Sequence, residues 1–156
     1  MKTLDDRVRL IEDRFAILDV EALYAEAWDL GRPEEWAGAF AGDGIFEMLP
    51  MGQMPGVKVQ GSAALTAFCS SIRNEWSGLH FMHPPRLTIQ EDTAKSLIFF
   101  EFRHVMKAHS GTTRQGVTGG YYRTSYTRTD QGWRIQERVE RAVFDETAVY
   151  YGQMPD

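Results

Sequence analysis

The sequence predicts an α+β domain in which N-terminal helices cover one face of a curved sheet. Apolar residues at helical spacing mark the first half, as in Ile17, Val20, Tyr24 and Trp28. From His80 onward β-rich segments take over, one of them placing Phe100, Phe102, His104 and Met106 on a single face. Turn signals at Glu91-Asp92 and Asp130-Gln131-Gly132 separate these segments closely enough for an antiparallel meander.

Taken in order, Leu4 to Leu30 reads as helix, in two segments with a bend near Asp13-Arg14. Thr3 followed by Asp6 is a capping box that opens it, and Gly31 is its stop. Pro33 with Glu34 and Glu35 suits the first turn of a short helix reaching Phe40. Asp43-Gly44 turns the chain into a strand at Ile45–Met48, and the Pro- and Gly-rich stretch from Leu49 to Gly56 is loop. Ser62 is expected to cap a further helix whose Leu65, Phe68, Cys69, Ile72 and Trp76 share one face. Beyond it come a strand with Leu87 and Ile89, a long one from Ser96 to His109, a break at Gly111 and a strand over Thr112–Thr129. Trp133–Phe144 is the last strand, followed by an aromatic tail.

The chain of 156 residues is read as one domain, 1–156, large enough to bury roughly two-thirds of its unfolded surface. Its net charge of −5 and the absence of a Lys/Arg run argue against nucleic-acid binding. One cysteine, Cys69, excludes an internal disulfide framework and a multi-cysteine zinc site, and its place in the helix pattern makes it a core residue. The charged start is unlike a secretory signal and no stretch is apolar enough to span a membrane, so a cytoplasmic protein without membrane partners is expected.

Four polar positions stand out. Asp29 ends a row with Leu18, Ala22 and Ala25, small and apolar side chains at 4-3-4 spacing. It also lies in the last helical turn, where the macrodipole disfavours a carboxylate. Such an acid is either functional or turned to water at a frayed end. His80 precedes His83 by three residues, so on a strand the two rings point to opposite faces and do not share a metal. Either ring is an acid–base candidate or a hydrogen-bonded structural histidine. His104 is a core histidine, or lines a cavity if the sheet curls around one. Arg138 alternates with Gln136 and Arg134, opposite Trp133, Ile135 and Val139, and its side faces solvent unless a bulge reverses it. Phosphate loops, serine-nucleophile elbows and dinucleotide fingerprints are absent from the sequence.

Three segments taken together carry a resemblance: Tyr24-x4-Asp29, His80 leading into LTIQEDTA, and the closing GGYYRTSYTRTDQGWRIQER. Their order and spacing resemble the SnoaL-like branch of the nuclear transport factor 2-like superfamily over nearly the whole chain. Within that branch the pattern is most similar to scytalone dehydratase, hexachlorocyclohexane dehydrochlorinase and bile-acid 7α-dehydratase. The resemblance implies a cone-shaped α+β barrel, a curved mixed sheet around a deep pocket closed by the N-terminal helices. It implies a catalytic pair at Asp29 and His80, a leaving-group arginine at Arg138, a catalytic-site tyrosine at Tyr24 and a second pocket histidine at His104. Water-holding tyrosines of the dehydratase fall near Trp28 and Met48, a departure that turns attention from scytalone to other substrates. Trp28, Met48, Phe102 and Tyr122 are the remaining expected substrate contacts, with the methionines giving an adaptable apolar lip.

The implied activity is a lyase of the dehydratase type on a hydrophobic cyclic or polyketide-like molecule, with neither metal nor organic cofactor. Isomerase or cyclase chemistry in the same pocket is an alternative. So is a non-catalytic role, such as a dioxygenase β-type subunit. A homo-oligomer, dimer or trimer, is also implied, with Phe99 and Tyr121 or Tyr122 on an exposed sheet face.

Overall fold

A computed structural model describes residues 3–52, 54–107 and 113–150. The first element, α1 (Leu4–Asp29), begins with the expected capping box, in which Thr3 Oγ1 accepts from the Asp6 N–H and the Asp6 carboxylate accepts from the Thr3 N–H. The helix runs unbroken through Asp13-Arg14, where two segments were expected. Asp13 is inward-facing, and its carboxylate accepts from Arg128 Nη2 at 2.7 Å and from the Trp133 indole at 3.0 Å. Those bonds hold its pKa below the usual range although burial would raise it. A Schellman cap ends α1: the Arg32 N–H reaches the Ala27 carbonyl at 2.8 Å, the Gly31 N–H reaches that of Trp28 at 3.0 Å, and Gly31 takes φ 66°.

α2 (Pro33–Gly38) starts on its proline as expected and stops short of Phe40, which already belongs to β1 (Phe40–Met48). β2 (Val57–Gln60), a short strand antiparallel to β1, was not expected. Gly61, with φ 84°, is the N-cap of α3 (Ser62–Glu75), so Ser62 is the first helical residue and not the cap. Trp76 leaves the helix and opens β3 (Trp76–Met82), which starts before His80. β4 (Arg86–Gln90), β5 (Thr93–Lys107), β6 (Thr113–Thr129) and β7 (Gly132–Tyr150) follow. The last strand was expected to end at Phe144 and a tail to begin at Glu146, but β7 continues to Tyr150; the expected break at Gly111 and the rest of the tail lie outside the described residues.

The seven strands form one mixed sheet in the order β2-β1-β7-β6-β5-β3, with β4 beside the first half of β5. β1 and β7 run parallel and the other pairs antiparallel. Two bulges interrupt the β6–β7 ladder, one leaving Gln136 and the other Val143 without a partner. Bulges bend a strand and increase its twist, which curls the sheet around a concave face. That face and the three helices enclose a core rich in aromatic rings, among them Tyr24, Trp28, Trp36, Phe46, Phe100 and Tyr122. Cys69 is fully buried there, and burial pushes its thiol up to about 12, as befits a packing residue.

Candidate active site

The site is built where the capped end of α1 meets β3. The Schellman turn fixes Asp29 as the last helical residue, and β3 is a sheet edge whose outward N–H groups are free of the ladder. Asp29 closes on that edge twice. Its Oδ2 accepts from the His80 backbone N–H at 2.8 Å, and its Oδ1 lies 2.7 Å from His80 Nδ1. The two side chains are only 11% and 6% exposed. A carboxylate at a helix C-terminus is electrostatically misplaced, and here two donors offset the cost. The clamp sets the neutral ring as the Nδ1–H tautomer, with Nε2 as the remaining acceptor. Phe102 packs against the ring at 4.5 Å between centroids.

His80 lines a cavity of about 210 Å³ on the concave face. Tyr24, Trp28, Met48, Phe102 and Tyr122 line the same cavity, as do Met51 and Met54 from the loop after β1. The Trp28 indole N–H is buried and has no partner among the described residues. His83 is exposed and lies one residue beyond the end of β3, so the strand period does not govern it.

Three expected residues take other places. Asp29 sits behind His80 and does not line the cavity itself. Arg138 is fully buried but also stands behind the wall, because the Gln136 bulge turns it inward. Its guanidinium lies 3.9 Å from the Tyr24 ring centroid and 4.7 Å from that of Tyr122, so two phenol rings separate it from the cavity. It pairs with Glu21, and its Nε donates to Thr124 Oγ1 at 3.1 Å. Burial pulls its pKa down, but Glu21, Tyr24 and Tyr126 outweigh that and the net shift is upward. Tyr126 donates to Glu21 at 2.5 Å and takes a bond from Ser96 at 2.7 Å, completing a buried charged layer.

His104 is not a wall residue either. It lies beneath Trp76 and Phe102, with Nε2 3.1 Å from Thr118 Oγ1. Burial pulls its pKa down, opposed in part by Asp145. The inward row on α1 is Asp13, Ile17, Val20, Glu21, Tyr24, Ala27 and Trp28, whereas Ala22, in the row thought to lead to Asp29, is exposed. Glu21 therefore escaped sequence reading.

Glu140 escaped it too. It lines the cavity opposite Tyr122 in the β6–β7 ladder and opposite Met48 in the β1–β7 ladder. Its carboxyl has no hydrogen-bond partner among the described residues, and burial pushes it up to about 7 although Arg138 pulls the other way. The only signal was period two from Arg138, which becomes usable once the Gln136 bulge is known.

With this geometry in hand, comparison with known proteins is decisive for family. The sequence profile of the SnoaL-like domain matches residues 9–139. The chain belongs to the SnoaL-like domain family. No curated protein matches its sequence. Among solved structures, this SnoaL-like chain is similar to a hexachlorocyclohexane dehydrochlorinase, LinA type 2, with TM-score 0.78, 13% identity and coverage of 96% of this chain and 97% of that one. It is also similar to a candidate scytalone dehydratase of Novosphingobium aromaticivorans, with TM-score 0.73, 20% identity and coverage of 93% and 91%. A nuclear transport factor 2-like protein of that organism gives TM-score 0.68, 25% identity and coverage of 92% of each chain. The shared fold is the cone expected of the SnoaL-like branch, with the curved sheet and N-terminal helices in place.

Proposed function

We propose that this SnoaL-like chain is a lyase that removes water from a hydrophobic cyclic molecule bearing a carbonyl group. The observation that carries the reading is the Asp29–His80 clamp at the wall of an apolar cavity. Asp29 holds Nδ1–H, so Nε2 takes the proton from the carbon beside the carbonyl. The released pair forms the carbon–carbon double bond as the neighbouring carbon–oxygen bond breaks. The departing hydroxide takes its proton from the Glu140 carboxyl and leaves as water; His80 ends protonated, Glu140 ionised, and solvent exchange restores both. The unpartnered Trp28 N–H suits the carbonyl oxygen, on which negative charge grows during proton removal. Arg138 acts through the Tyr24 and Tyr122 phenols, not by touching the substrate.

The test is turnover of a panel of cyclic β-hydroxy ketones, with loss of water read by mass spectrometry. His80→Gln and Asp29→Asn should lower kcat on any active substrate by roughly 10²–10⁴-fold, the usual worth of positioned acid–base catalysis. A product isomeric with its substrate would turn the reading to isomerase chemistry. Tight binding of the panel with no turnover would turn it to a binding role.

A further inference from the structure

The first turns of α1 are largely uncovered, with Arg9 reaching Asp92 at 3.6 Å on the side toward the sheet. Residues 3–12 are exposed on every side, and Leu4, Val8, Ile11 and Phe15 are 69%, 45%, 55% and 62% exposed. These four apolar side chains, continued by Leu18, repeat at alternating steps of four and three residues, the seam of a coiled coil. At 100° per residue the seam lies well round the helix from the row that packs on the sheet. α1 is thus apolar on two faces, and among the described residues only one of them has a neighbour.

The charges beside the seam identify that neighbour. On one flank, each residue following Leu4, Ile11 and Leu18 is acidic: Asp5, Glu12 and Asp19. On the other, each residue preceding Val8 and Phe15 is Arg7 or Arg14. None of Arg7, Glu12, Arg14 and Asp19 has a side-chain partner among the described residues. In a parallel pair of helices, a residue on the second flank meets the partner's residue five positions further on. Arg7 then faces Glu12 of the second copy and Arg14 faces Asp19, each pairing occurring twice by symmetry. An antiparallel pair would set acid against acid and arginine against arginine. The seam is self-complementary in one orientation only.

We propose that α1 is the interface of a homodimer, in which the Leu4–Leu18 seams of two copies pack parallel and are flanked by Arg7–Glu12 and Arg14–Asp19 pairs. Sedimentation of the full chain at micromolar concentration should show a dimer. Arg7→Glu/Arg14→Glu makes both flanks acidic and Glu12→Arg/Asp19→Arg makes both basic; each variant alone should sediment as a folded monomer, and an equal mixture should recover the dimer. These residues are exposed, so circular dichroism should match the parent. Leu4→Cys should cross-link to its own counterpart under mild oxidation, since native Cys69 is fully buried and silent. A monomeric parent overturns the proposal. So does an oligomer that survives both reversals, which would place the contact elsewhere, as on the exposed sheet face around Phe99.

Discussion

At Glu140 a carboxyl group lines an apolar wall with no hydrogen-bond partner among the described residues, and its proton is held to about 7 instead of the ordinary carboxylate range. Between about pH 4.5 and 7 the folded chain keeps a proton that the unfolded chain has released. Stability therefore falls as pH rises through that window. Glu140→Gln removes the dependence, and denaturant unfolding at pH 5 and pH 8 should show the parent losing roughly 1–3 kcal/mol relative to the variant. If Glu140 supplies the leaving-group proton, the same variant should also abolish the alkaline limb of a kcat profile near pH 7. Glu21 sets a different constraint. Glu21→Gln leaves the Arg138 charge buried and half-partnered between two phenol rings, a change worth about 3–5 kcal/mol of stability when one member of a buried pair is lost.

The element that matters most to the site is α1, because one rigid helix carries Asp29, Trp28, Tyr24 and Glu21 to three different tasks. Its last turn depends on Gly31, whose φ of 66° a side chain tolerates poorly and whose Cβ position lies 3.1 Å from Arg73 Nη2. Gly31→Ala should cost about 1 kcal/mol in thermal unfolding and loosen the Asp29 clamp, read as a larger loss in kcat than in KM. Gly31, Thr3 and Pro33 were legible because capping chemistry is local. The long strands were legible from alternation, and Asp29 and His80 from a resemblance that spans the chain. Arg138, Glu140 and the row on α1 were misread or missed for one physical reason: a bulge at Gln136 and a helix apolar on two faces both break the link between residue parity or spacing and the direction of the core. β2 is too short and too polar to declare itself before its partner β1 is known.

At the scale of the whole molecule, the curved sheet supplies a bowl, α1 and α3 close it, and the charged layer of Arg138, Glu21, Tyr126 and Ser96 lies behind its wall. On the proposed reading, chemistry stays in the cavity beside Met48, Met51 and Met54, while the Arg138–Glu21 ion pair lies behind the rings of Tyr24 and Tyr122. The wall itself is nearly all carbon and sulfur, with His80, Trp28, Trp76, Thr118, Glu140 and the two phenols as its polar points. That composition has a calorimetric consequence. A ring that fills the cavity withdraws apolar surface from water, so its binding enthalpy should grow steadily more favourable on warming, a negative heat-capacity change in titrations at several temperatures. Because the slope reports surface and not proton transfer, His80→Gln should leave it intact, whereas Phe102→Ala should flatten it.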